Sequence, residues 1–106
     1  MPDELLALIS ADLHDEVARC AAAAGYRMVL ADPDDCRRDW LRARAVVADP
    51  DAVRRLVDLH PPRRDGLVIV SDREPPSDVW RCALDLGADH AAVLPADESR
   101  LVISLS

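Results

Sequence analysis

The chain has 106 residues, 50% hydrophobic but only 3% aromatic and without phenylalanine, so one domain with an aliphatic core is expected, needing neither disulfide nor metal. A net charge of −7 argues against a duplex nucleic-acid binder, which needs a basic footprint. Cys20, Cys36 and Cys82 form no C-x-x-C pair, Asp3 and Glu4 stand where a signal peptide carries positive charge, and no apolar run nears the roughly 18 residues of a membrane span; a reducing cytoplasm is the expected compartment.

Leu5 to Ile9 is a short apolar run and reads as a buried strand. Ser10 or Asp12 is placed to cap the helix that follows. Leu13, Val17, Cys20, Ala21 and Ala24 recur at spacings of 4, 3, 1 and 3, one face of a helix that Gly25 ends. Tyr26 to Leu30 is the second strand. Asp32, Pro33 and Asp34 turn the chain into a second helix, whose narrow apolar stripe is Cys36, Trp40 and Leu41.

Ala45 to Ala48 is the third strand and delivers Asp49 to its carboxyl end. Asp49-Pro50-Asp51 starts a third helix with Val53, Leu56 and Val57 inward, and His60-Pro61-Pro62 stops it. Arg63, Arg64 and Asp65 form a polar loop. The segment Arg37 to Arg64 holds eight arginines against four aspartates, and reads as solvated helix surface with a local basic face as the alternative. Leu67 to Val70 is the fourth strand, followed by Ser71 and Asp72. Ser77 is placed to cap a fourth helix with Val79, Cys82, Ala83 and Leu86 inward, closed by Gly87. Ala91 to Leu94 is the fifth strand; a short last helix carries Leu101, Val102 and Leu105.

Five strand–helix units without a second domain or repeat imply an α/β fold: a parallel sheet covered by helices on both faces, three layers, flavodoxin-like, in the order 2-1-3-4-5. Ligands of such sheets bind at the carboxyl ends of the strands, where Ser10, Asp12, Asp49, Ser71 and Leu94 fall.

That arrangement resembles the receiver domain of bacterial response regulators. The resemblance implies that Asp49 stands at the phospho-acceptor position and Ser71 at the hydroxyl position that contacts phosphoryl oxygens. It also implies an acid pair holding Mg²⁺ after the first strand, and a lysine before the proline after the fifth. Here the acid-pair positions hold Ser10 and Ala11 with only Asp12 nearby, and Leu94 precedes Pro95; the chain contains no lysine. Phosphoryl transfer is positioning plus neutralisation of charge, so Asp12, Asp49 and Ser71 are expected to be a vestigial acceptor pocket, with Asp49 capping the third helix. No catalytic residue, metal or cofactor is expected.

The stretches AAAAGYR, RRDWLRARAVVAD, PPRRDGLVIVSD and VWRCALDLGADHAAVLPADESRLVISL are similar to the N-terminal pseudo-receiver domain of actinobacterial septum-site-determining proteins. These are relatives of the CpaE/TadZ pilus-assembly ATPases of the MinD/ParA class. The resemblance implies that residues 1–106 are a single non-enzymatic interaction or localisation domain, at a cell pole or septum through its partners. It places a P-loop ATPase domain beyond Ser106, since Gly25, Gly66 and Gly87 are isolated and no Walker-type loop is possible without lysine. Receivers associate through the fourth helix, fifth strand and fifth helix. The corresponding face, Trp80, Leu84, Leu101 and Ile103, is the expected partner surface, with a homodimer as one partner. A genuine receiver phosphorylated on Asp49 is the runner-up, and a small-ligand binder at Ser10, Asp49 and Ser71 the third reading.

His14, His60 and His90 are too scattered to be a metal site, and Ser71 lacks a nucleophile elbow. Cys20 and Cys82 read as core residues and Cys36 as the more exposed thiol. Trp80 is expected at the sheet edge or in the core rather than displayed.

Overall fold

In the computed structural model, which describes residues 3–88 and 90–106, five strands alternate with five α-helices. The strands are β1 Asp3–Leu8, β2 Tyr26–Leu30, β3 Ala45–Ala48, β4 Leu67–Ser71 and β5 His90–Val93. The helices are α1 His14–Ala23, α2 Arg37–Arg42, α3 Pro50–Leu59, α4 Ser77–Leu86 and α5 Glu98–Leu105. All neighbouring strands pair in parallel, in the order β2-β1-β3-β4-β5. This is the flavodoxin-like topology that the sequence implies.

The central strands β3 and β4 are buried along their whole length because helices cover both faces. Side chains alternate between two cores with the period of two that a strand imposes. Leu6, Leu8, Val46, Ala48, Leu67 and Ile69 pack on one face with Trp40, Val53, Leu56, Val79 and Ala83. Leu5, Ala7, Ala45, Val47, Val68 and Val70 pack on the other with Val17, Cys20, Leu101 and Leu105.

Several local expectations need correction. A 3-10 turn, Ala11–Leu13, precedes α1, and neither Ser10 nor Asp12 provides a side-chain cap there; the Leu13 N–H donates to the Ser10 carbonyl instead (3.1 Å). Ser77 is the first residue inside α4, and Pro76 precedes it without a side-chain cap. Cys36, just before α2, Trp40 within it and Ala43 just after it face the core at spacings of 4 and 3, but Leu41 falls off that stripe and is 63% exposed. Cys36 is buried and Cys82 only partly so, the reverse of the expected order. His90 opens β5 instead of preceding it.

The loop between α3 and β4 is not merely polar. Arg64 is half-buried, and its guanidinium donates to the carbonyls of Trp40, Arg44 (3.1 Å) and Asp65 (2.8 Å). The Arg64 N–H donates to the Leu86 carbonyl at the end of α4 (3.1 Å). Gly87 turns there with φ 110°, and a Cβ on it would lie 1.9 Å from the Arg64 carbonyl oxygen, so only glycine fits.

Candidate functional site

A cleft of about 650 Å³ lies at the carboxyl ends of β1, β3, β4 and β5. Asp12, Asp49, Ser71, Arg73, Leu94 and Pro95 line it, so the fold does bring the expected pocket residues together. The chemistry depends on what each side chain is already doing.

Asp49 leaves β3 and is 8% exposed. One carboxylate oxygen accepts the Ala52 N–H (2.8 Å) and so caps α3, where Pro50 fills the first helical position and the helix N-terminus favours negative charge. The other accepts the Ser10 N–H (2.8 Å), across 39 residues of sequence, and ties the loop after β1 to the end of β3. Each oxygen therefore has a backbone donor, which lets a carboxylate be buried without a cation.

Ser71 ends β4 and is 3% exposed; its Oγ accepts the Arg73 N–H (3.3 Å). Asp12 is exposed at the rim. Arg73 is engaged with the neighbouring Asp72, Nε to Oδ1 at 3.2 Å. Their hydrogen bond and attraction hold the Asp72 carboxyl below its ordinary value and raise the guanidinium. Arg54, also on the cleft wall, spans Asp51 (3.4 Å) and Asp78 (3.2 Å).

The position where the resemblance implies a lysine is occupied by Leu94, 3% exposed and part of the core beneath α1 and α5. Its N–H donates to the Ser71 carbonyl (2.7 Å), and its peptide bond to Pro95 is cis. The donors do not fit a divalent cation of the kind receivers hold. Ser10 and Ala11 replace the acid pair and Asp49 has both oxygens engaged. Among the described residues no group of three or more His, Cys, Asp or Glu is placed to hold a metal.

The expected partner surface is only partly present. Leu84 and Ile103 are exposed (51% and 73%), and Trp80 is half-buried against the α2–α4 side of the core. Leu101 is not on it: at 1% exposure it packs under α5 with Leu105, four residues on and therefore on the same helix face. The histidines stay apart: His14 opens α1, His60 ends α3 and His90 opens β5. The Cys20 and Cys36 thiols are pushed above their ordinary value, chiefly by burial, and so are poor nucleophiles. No helix among the described residues is long and apolar enough to cross a membrane.

Residues 7–106 match a family model described as "Rv3660c-like, CheY-like N-terminal domain". Two curated proteins of Mycobacterium tuberculosis, the uncharacterized proteins MT3760 (strain CDC 1551) and Rv3660c (strain H37Rv), are each 35% identical over 96 residues, 89% of this chain. The chain spans only 27% of their length. Two solved structures of the Vibrio cholerae chemotaxis protein CheY4 align over 99% of this chain and 97% of theirs, with TM-scores of 0.65 and 0.63. At 17% and 16% identity, that likeness shows the fold.

Proposed function

The chain belongs to the family of Rv3660c-like, CheY-like N-terminal domains, and on that premise we propose that this receiver-like domain is a non-catalytic pseudo-receiver that works by binding other proteins. The observation that carries the reading is the state of Asp49: both carboxylate oxygens hold backbone N–H groups, while the buried Leu94 leaves no cation opposite. A phosphoryl group joined to one Asp49 oxygen would displace the bond which that oxygen holds, either the α3 cap or the anchor of the loop after β1. It would also bring charge that nothing at Leu94 neutralises.

The finer reading is that the domain regulates or localises a MinD-like ATPase in septum-site determination or pilus assembly, in the cytoplasm at a pole or septum. Its support is the similarity of the four stretches quoted above to the pseudo-receiver domains of CpaE/TadZ-like proteins. The exposed Leu84 and Ile103, beside the half-buried Trp80, form the surface through which it binds a partner or a second copy. The test has two parts: sedimentation of the domain, and the ATP hydrolysis rate of a MinD-like ATPase with and without it. We expect association, or a changed rate, that Ile103→Glu abolishes. A domain that stays monomeric and leaves the ATPase rate and sedimentation unchanged contradicts the proposal.

One observation favours a second reading, a receiver phosphorylated on Asp49: Ser71, at the position of the phosphoryl-binding hydroxyl, lines the same cleft as Asp49. Phosphorylation decides between the two.

A further inference from the structure

A second groove, of about 480 Å³, lies between α2 and α3, away from both Asp49 and the Ile103 face. Cys36, Trp40 and Leu56 line its buried interior, and Leu41 and Leu59 stand on its rim, 63% and 43% exposed. The rim is rigid. Pro61 and Pro62 form one side, and the Trp40 indole N–H donates to the Pro62 carbonyl (2.6 Å).

The exposed charge on α2 around Leu41 is mostly positive. Arg37 and Arg38 precede it by one helical turn, and Arg42 and Arg44 follow it. Arg44 pairs with Asp3 (3.5 Å), whereas Arg37, Arg38 and Arg42 are exposed and in no ion pair among the described residues. Of the acids nearby, only Asp34 is in an ion pair among the described residues. Asp34 on the groove wall pairs with Arg55 (2.7 Å), which also feels the charge of Asp58. Asp39, two residues before Leu41, falls on the opposite side of α2 and is half-buried; Asp35 is exposed in the turn before α2.

We propose that this groove docks an acidic amphipathic segment of a partner protein, with apolar side chains seated between Leu41 and Leu59 and carboxylates on Arg37, Arg38 and Arg42. The inference goes beyond the pseudo-receiver reading and requires nothing of Asp49. Arginine clusters beside apolar grooves suit carboxylates because the guanidinium offers paired donors. A second copy docked two-fold through this patch would set these three arginines against themselves. A nucleic acid would meet a chain of net charge −7.

The test is selection of random peptides displayed on phage against the intact domain, followed by affinity measurement with the selected peptides. Expected are net-negative peptides with at least two apolar residues, whose affinity falls as salt rises. Leu41→Asp, and separately the triple reversal Arg37→Glu, Arg38→Glu, Arg42→Glu, should each weaken binding about tenfold or more. All three arginines and Leu41 are solvent-facing, so thermal melting should confirm that both variants fold. Ile103→Glu should leave the affinity unchanged, which separates this site from the α4–α5 surface. Four outcomes overturn the proposal: no enrichment or neutral and basic peptides; binding indifferent to the α2 variants; self-association that Leu41→Asp abolishes; tighter retention of an oligonucleotide than of any acidic peptide.

Discussion

At the carboxyl end of the sheet, Asp49 is 8% exposed and bonded to two backbone N–H groups; at the amino end, Arg64 is half-buried and bonded to three backbone carbonyls. Neither has an ion-pair partner among the described residues. Asp49 looks functional because it faces a cleft in a receiver-like fold, and Arg64 looks structural because it lies in a loop. Their bonding is of the same kind: each buried charge is held by backbone dipoles and each ties together chain segments distant in sequence. Desolvation lowers the Arg64 guanidinium from its ordinary value, only partly opposed by Asp65. On the pseudo-receiver proposal, occupancy of the site's hydrogen bonds, and not the site's position, separates a reactive carboxylate from a strut.

The comparison breaks most severely at the amino pole. Gly87→Ala drives a Cβ into the Arg64 carbonyl and forces a left-handed φ on alanine, so a loss of about 4 kcal/mol or failure to fold is expected in urea denaturation. A loss below about 1 kcal/mol would mean that the Arg64 loop yields freely. Arg64→Leu should cost about 3 kcal/mol, since several carbonyls lose a charged donor at once. Asp49→Ala should cost about 2 kcal/mol and Asp49→Asn less, because asparagine keeps the cap on the Ala52 N–H but turns its NH2 group toward the Ser10 N–H and loses that bond. If Asp49→Ala were neutral or stabilising, Asp49 would not be a strut, and the two poles would differ after all.

These two residues also mark what the sequence could and could not reveal. The Asp49 cap is legible because its acceptor–donor pair, Asp49 and Ala52, is local and followed by proline. The five strands are legible because aliphatic runs alternate with helical spacing, and five such units in a chain of this length fit the order β2-β1-β3-β4-β5 that the structure has. Arg64 is illegible: the partners that justify its burial lie 20 and 24 residues away. Asp49's second bond, to Ser10, spans 39 residues and was hidden for the same reason. Leu101 belonged to the expected partner face by its place in α5, yet its spacing to Leu105 marks it as core, and packing follows the spacing. Cys36 is buried because the 3-10 turn at Pro33–Asp35 sets the inward face of the short α2, which periodicity alone does not reveal, whereas Cys82 sits at the edge of the α4 stripe formed by Val79, Ala83 and Leu86.

The smallest expected effect concerns the exposed charges beside the cleft. Arg54 holds the Asp78 carboxyl below its ordinary 3.8. A carboxyl whose folded value is depressed adds stability above its unfolded value, and that stability is lost as pH falls through the folded value. Asp78→Asn should therefore show a slightly smaller drop in Tm between about pH 5 and about pH 3 than the wild type, with the difference fading in high salt. An unchanged or larger drop would remove the pair from the account. Asp72 and Arg73 are adjacent in sequence, so their pair also forms in the unfolded chain and should contribute less.

The most direct test of the pseudo-receiver reading is intact mass after incubation with acetyl phosphate and Mg²⁺, for the wild type and Asp49→Asn. The account predicts the unmodified mass for both. A phosphoryl adduct on the wild type that is absent from Asp49→Asn would show that Asp49 is a working acceptor, and would contradict it.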